Sequence, residues 1–186
     1  MSSGVAAPKR PRVAIFIDGL NTMFRLRESG WEEFFDVCHF GRRVARNREL
    51  VAVYYFRVRP AIPPIKTRAQ YWAEMRYLAR VEKQVFDEFG LYVRYGYVVE
   101  RHYGWQEKQT DVWLASEMVN HAWRDTYDIG ILVTADTDLV PAVEIVRFLG
   151  KGVELVVFPK ANPNVTQLVK AAHSTTTARS SFFQPY

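Results

Sequence analysis

Asp18, Asp111, Asp136 and Asp138 are the residues through which this sequence can do chemistry. Asp18 closes the apolar run Val13-Ala14-Ile15-Phe16-Ile17, and Asp136 and Asp138 follow Ile131-Leu132-Val133-Thr134-Ala135. Asp111 heads a stretch in which Leu114, Ala115, Met118, Val119 and Ala122 recur at helical spacing, so it opens the stripe turned to the core. A carboxylate in that position is expensive unless something pairs with it. Four carboxylates in one crevice cannot all stay charged without a counter-cation. An all-oxygen donor set suits Mg²⁺ or Mn²⁺. Such an ion binds phosphate oxygens, lowers the pKa of a bound water and steadies charge on a leaving oxygen, so the chemistry implied is hydrolysis of a phosphodiester.

Each acid also has a purely structural use open to it. Asp138 suits the N-cap of a helix beginning near Leu139, with Pro141 in its first turn. Asp18 precedes a short helix, as capping acids do, and Gly19 beside it permits a tight turn and the close approach of a ligand. Asp111 is placed either as a first-turn acid favoured by the helix dipole or as half of a salt bridge to an arginine. Zinc chemistry does not compete. The chain has one cysteine, Cys38, and its histidines, His39, His102, His121 and His173, are scattered and read as surface residues.

The elements that must position these acids alternate between strand and helix. Strands are expected over 13–17, 50–58, 91–99, 128–134 and 153–158. Helices are expected from the turn at Asp18 to about Ser29, in part over 31–48, over 67–88 with Gly90 as C-cap, and over 108–123 and 139–149. A last one begins after Pro163 and ends near His173. Pro60, Pro63 and Pro64 mark a loop, and residues 101–105 read as a polar, aromatic loop. The pattern Tyr71, Trp72, Met75, Leu78, Ala79, Glu82, Phe86 reads as the core stripe of the long helix. Such alternation predicts an α/β, Rossmann-like three-layer sandwich: a mainly parallel sheet of about five strands with helices on both faces. Ligands of such sheets gather at the carboxyl ends of strands where the strand order reverses, which is where Asp18 and Asp136 belong.

The bulk properties agree. With 186 residues there is room for one domain, and 48% hydrophobic content rules out a wholly disordered chain. Residues 1–11 read as a flexible basic arm, 12–173 as the domain and 174–186 as a Ser/Thr-rich tail. A lone cysteine excludes an intrachain disulfide framework, and no segment has the length or apolarity of a signal peptide or membrane span, so a reducing, cytoplasmic setting is expected. A net charge of +5 favours an anionic partner.

Three segments in order carry a family resemblance: Phe16-Ile17-Asp18-Gly19-Leu20-Asn21, Glu107-Lys108-Gln109-Thr110-Asp111, and Val133-Thr134-Ala135-Asp136-Thr137-Asp138-Leu139-Val140-Pro141. The chain resembles the NYN (LabA-like) domain of the PIN-like nuclease superfamily over about residues 12–173. The resemblance implies a metal-dependent ribonuclease, with Asp18, Asp111, Asp136 and Asp138 as the Mg²⁺ or Mn²⁺ site and products carrying 5′-phosphate and 3′-hydroxyl ends. It also implies that Asn21 and Thr134 stand in the wall of that site. Read locally, Asn21 could instead cap the short helix and Thr134 could satisfy nearby backbone. Glu117 matches a position often acidic in the family, but six residues past Asp111 it lies well round the helix. Two departures are visible: Ala135 and Gln109 stand where the family commonly has glycine.

The partner expected is RNA, single-stranded for preference, with DNA left open, no membrane, and a homodimer sharing a groove compatible with the chain. Cations cluster at Lys9-Arg10-Arg12, at Arg42-Arg43-Arg46-Arg48 and at Arg57-Arg59-Lys66-Arg68, and aromatics interleave with cations at 101–105. The same pattern also suits ordinary solvated charge. Lys108 could hold a substrate phosphate or simply be a solvated first-turn lysine. Two other functions compete. One is a catalytically silent RNA- or protein-binding module of the same fold. The other is a haloacid-dehalogenase-like phosphatase, suggested by Asp136-Thr137-Asp138 after an apolar strand. The phosphatase leaves Asp18 and Asp111 without a role.

Overall fold

The computed structural model describes residues 9–60, 67–102, 104–159 and 165–183. Strand β1 (Arg12–Asp18) runs straight into α1 (Gly19–Glu28). Then come α2 (Val37–Ala45), β2 (Glu49–Val58), α3 (Arg68–Phe89), β3 (Arg94–Arg101) and β4 (Gly104–Lys108). They are followed by α4 (Thr110–Trp123), β5 (Ile129–Val133), α5 (Val140–Phe148), β6 (Gly152–Val157), α6 (Thr166–Ala171) and β7 (Ser174–Thr177). The proline loop after Pro60 and the start of the last helix fall largely outside the described residues.

The strands form one seven-stranded sheet in the order β4-β3-β2-β1-β5-β6-β7. All neighbours are parallel except β3 and β4. Strand β1 shows why the layers form. Its alternate residues Val13, Ile15 and Ile17 enter a core shared with α1, α2 and α3, while Ala14 and Phe16 enter a second core shared with α4, α5 and α6. The three-layer α/β architecture is the one expected, with seven strands rather than five.

The two extra strands are elements whose local sequence hides them. The expected loop at 101–105 is the turn of a β3–β4 hairpin, in which Glu100 pairs with Trp105 and Arg101 with Gly104. Of its residues, Arg101, His102 and Gly104 are exposed. The expected Ser/Thr tail supplies β7, which pairs Ser174–Thr177 with Glu154–Val157 at the sheet edge. Edge strands need no apolar alternation, and β-branched threonine suits them. Beyond β7, Phe183 is buried and stacks on Phe40 with ring centroids 4.9 Å apart.

Helix α3 begins at the reciprocal Thr67–Gln70 capping box and ends at Gly90 in the left-handed conformation, φ +66°. Its buried stripe is Glu74, Tyr77, Leu78, Val81 and Val85. The stripe expected from Tyr71, Trp72 and Phe86 is therefore out of phase, with Trp72 and Phe86 exposed. The apolar pattern misled because one inward position is charged: Glu74, 3% exposed, is ion-paired with Arg57 of β2, 1% exposed. Two histidines also depart from the surface role expected. His121 lies against Tyr54 at 4.6 Å and beside Glu117, and the buried Nε2 of His39 faces the interior. Cys38 is buried as a free thiol. Among the described residues no helix is long and apolar enough to cross a membrane.

Candidate metal centre

Strand order reverses between β1 and β5, so the carboxyl ends of these two neighbours bound the crevice that such a fold leaves open. Asp18 is the last residue of β1 and is 5% exposed. Its Oδ1 accepts the backbone N–H of Asn21 at 3.0 Å, which caps α1. Its Oδ2 accepts the hydroxyl of buried Thr134 at 2.9 Å, just beyond the end of β5. The same hydroxyl oxygen accepts the N–H of Asp136 at 3.1 Å, and Asp136 Oδ1 accepts the N–H of Asp138 at 2.9 Å. Asn21 closes the arrangement by accepting the N–H of Ala135 at 3.1 Å.

These bonds decide the local alternatives. The cap of α1 is Asp18, so Asn21 is free to tie α1 to the 134–136 turn. Asp136, not Asp138, caps the 3₁₀ turn Thr137–Leu139. Helix α5 starts at Val140 with no side-chain cap, so Asp138 closes no helix; it is exposed and lines the groove between α4 and α5 with Ser116 and Asn120. Gly19 has negative φ, and what it admits is protein, not a ligand. A Cβ there would lie 2.6 Å from the Tyr55 ring and 2.8 Å from the Phe56 carbonyl oxygen.

Asp111 sits in the first turn of α4 and is exposed. The stripe that enters the core begins instead at Thr110 and continues through Leu114, Met118 and Ala122. Asp111 nonetheless lies in the field of the others. Partial burial, followed by the charges of Asp136, Glu107 and Asp138, pushes its carboxyl up to about 6. Burial raises Asp18 to about 7 against the hydrogen bonds from Asn21 and Thr134, with the charges of Asp111 and Glu107 adding to the rise. Asp111 thus feels Asp136 and Asp138 on one side and Asp18 feels Asp111 on the other, and Glu107 acts on both. Glu107 opens the second motif segment but is not among the site residues expected from sequence, because it belongs to β4, where the sequence reads as loop and helix start. Glu117 stays out of the crevice, bound to Arg94 at 2.8 Å and to His121 at 3.3 Å.

The donor set fits a hard dication in kind: oxygen ligands, a net negative field, and two carboxyls, Asp18 and Asp111, pushed up first by burial and then by neighbouring like charge. Among the described residues, however, no three acid, histidine or cysteine side chains are gathered around one point as a ready-made site. The carboxylates stand around the crevice, and their side chains must converge for an ion to be shared.

Backbone strain lies next to Asp111. Gln109 holds φ +76°, a left-handed conformation costing about 1 kcal/mol for a residue with a Cβ. Nearby, Gly96 lets β3 pass close, since a Cβ on it would lie 2.3 Å from the Lys108 carbonyl oxygen. Gln109→Gly is expected to stabilise the chain by up to about 1 kcal/mol, read as a rise in the denaturant midpoint at unchanged slope. A lower midpoint would mean the Gln109 side chain, not its backbone, matters. Ala135, the other departure, has negative φ, so nothing at that turn requires glycine.

Much of the expected basic surface is committed elsewhere. Arg12 binds Asp125 and Asp128, Arg42 binds Glu88, Arg48 binds Glu154, and Arg57 is buried on Glu74. Arg59 lies over the Tyr95 ring at 4.8 Å, and Lys66 falls outside the described residues.

A family model described as NYN domain matches residues 12–179. No curated protein matches the chain. A solved structure similar to it is a protein of unknown function from Vibrio parahaemolyticus RIMD 2210633. The two are 20% identical with a TM-score of 0.67, over 96% of this chain and 99% of that one. At that identity the likeness bears on the fold alone.

Proposed function

We propose that this chain, which belongs to the NYN domain family of the PIN-like nuclease superfamily, is a metal-dependent ribonuclease that hydrolyses phosphodiester bonds of single-stranded RNA. The observation that carries the reading is the hydrogen-bonded relay Asp18–Thr134–Asp136–Asp138 at the point where strand order reverses, with Asp111 in its field. A structural cap would not need a buried carboxylate tied to a second carboxylate loop 116 positions away.

Asp18, Asp111, Asp136 and Asp138 would hold Mg²⁺ or Mn²⁺, with Glu107 adding negative field. A bound dication supplies charge neutralisation at the scissile phosphate and acidifies a water. The chain's own contributions are distinct. Asn21 N–H and the Thr134 hydroxyl fix both oxygens of Asp18, so its carboxylate does not reorient when charge develops nearby. Asn21 Oδ1 holds the Ala135 N–H and so fixes the turn that presents Asp136. Without a cation, Asp18 takes up a proton near pH 7 and Asp111 near pH 6. Cation binding at neutral pH must then displace a proton from Asp18, and only below about pH 6 from Asp111 as well.

The test is cleavage of end-labelled single-stranded RNA of varied sequence with Mn²⁺ or Mg²⁺. Cutting that EDTA abolishes is expected, as is sparing of small phosphomonoesters, which a phosphatase would hydrolyse instead. One observation favours the second reading, a silent RNA- or protein-binding module: the acids are not gathered around a single point. Absence of metal-dependent cutting across all the RNAs would sink the ribonuclease and favour that module.

A further inference from the structure

At the edge of the sheet opposite the β3–β4 hairpin, α2 and β7 bound a cleft of about 600 Å³. The carboxylates of the crevice do not line it. Its cations are Arg42, Arg43 and Arg46 from the end of α2 and just beyond, and Arg179 from the segment after β7. Hydroxyls of Thr175, Thr176 and Thr177 add polar lining, and Phe182 adds one ring. No carboxylate is among the lining residues.

The charge there is only partly committed. Arg42 Nη1 donates to both oxygens of Glu88 at 2.7 Å. Arg43 and Arg179 are exposed, and Arg46 reaches only the Thr176 hydroxyl, at 3.5 Å. Cations at a helix C-terminus are ordinary, since they complement its dipole. That accounts for Arg42 and Arg43, in the last turn of α2. It does not account for Arg179, which faces them from another segment, or for Arg46, which lies past the helix at φ +57°. Guanidiniums converging from two elements, with no acid between them among the described residues, make an anion site, and their planar forks match phosphate oxygens.

We propose that the α2–β7 cleft binds consecutive phosphates of a polynucleotide backbone, as a second contact apart from the carboxylate crevice. Three guanidiniums without an acid partner among the described residues, spread along an open wall with hydroxyls and one ring, exceed what a single phosphate can use. The cleft would hold the strand at a distance from the bond to be cut. The inference rests on the reading of RNA as substrate, but it stands or falls on binding rather than on cleavage.

The test uses the full chain in EDTA with a fluorescein-labelled single-stranded RNA, followed by anisotropy between about 50 and 200 mM salt. The variant is Arg43→Gln/Arg46→Gly/Arg179→Gln. Its positions are exposed, and glycine relieves the positive φ at 46, so a melting temperature equal to or above the wild type's is expected. Affinity should fall about tenfold or more, and the slope of log K against log salt should shrink by about 2, at roughly 0.7 per phosphate contact. A control pair elsewhere, Arg124→Gln/Lys170→Gln, should change the slope far less. Equal losses in control and variant, or no loss in the variant, would overturn the proposal. So would full displacement of the RNA by millimolar inorganic phosphate at matched ionic strength, since a site for one phosphate would suffice. RNA that binds through these arginines but is never cut refutes the ribonuclease and leaves the cleft. RNA that is cut with metal yet binds the variant unchanged refutes the cleft alone.

Discussion

Asp18→Asn is expected to lower metal-dependent RNA cleavage by about a thousandfold, roughly 4 kcal/mol of barrier, while making the metal-free protein more stable. Both effects come from the same buried carboxylate. Asparagine keeps its shape: its oxygen can still accept the Asn21 N–H, and its amide can donate to Thr134 in place of accepting from it. What disappears is a negative charge that the fold holds poorly. The folded carboxyl keeps its proton to about pH 7, whereas an unfolded one loses it near 3.8. Between those values the folded state binds more protons than the unfolded state, so this group's contribution to stability is fully present below about pH 4. It is lost as pH rises to about 7 and stays flat above. At pH 8 the variant escapes that loss and should gain about 1–2 kcal/mol, less than the full linkage because a buried amide still needs partners. Mn²⁺ should raise the melting temperature of the wild type more at pH 8 than at pH 5, and that of the variant hardly at all. Thermal melts with and without Mn²⁺ at the two pH values check the stability half, and labelled-RNA cleavage checks the other. A variant that melts lower than wild type at pH 8, or that still cuts at near wild-type rate, would contradict the assignment of Asp18.

Arg57→Met should destabilise the chain by about 3–5 kcal/mol, because it leaves Glu74 buried without its guanidinium. The double variant Arg57→Met/Glu74→Met should recover most or all of that loss. The ion pair is imperfect: Arg57 Nε and Nη1 are buried without a hydrogen-bond partner among the described residues, so desolvation of the guanidinium is only partly offset. Similar apolar volume in their place removes the unmet donors along with both charges. For a chain of this length the single variant should melt roughly 6–20 °C lower, at about 2–4 °C per kcal/mol. Chemical denaturation of wild type, both single variants and the double variant gives the coupling directly. Additive losses in the double variant would show that each side chain is held by its other neighbours and not by its partner. The pair joins β2 to α3, on the side of the sheet that carries α1, so the effect belongs to folding rather than to the metal centre.

The strand ends and the acids on them were legible in the chain itself, because a strand buried on both faces must be a continuous apolar run and its last residue is then marked by the first charge. Asp18 after Ile17, and Asp136 two residues after Thr134, follow from that rule. The three-layer fold follows from strand–helix alternation alone, and α3 announces its own ends through Thr67, Gln70 and Gly90. Tertiary structure decided everything that depends on which segments meet. Glu107 enters the acidic field only because β4 folds back along β3, and β3 starts where β2 ends, pairing Arg94 with Phe56. Asp111 is exposed while Thr110 is buried because Gln109 turns left-handed and sets the phase of α4 after the pattern has begun. Asp138 gave up its expected cap to Asp136 through a turn that Asn21 holds from another helix. Which arginines remain available for an anion was likewise invisible, since Arg12, Arg48 and Arg57 are claimed by acids 17 to 116 residues away. Local propensity and hydrophobic period act over a few residues and can be read in order, whereas pairing, stagger and charge neutralisation act between residues that only the folded chain makes neighbours.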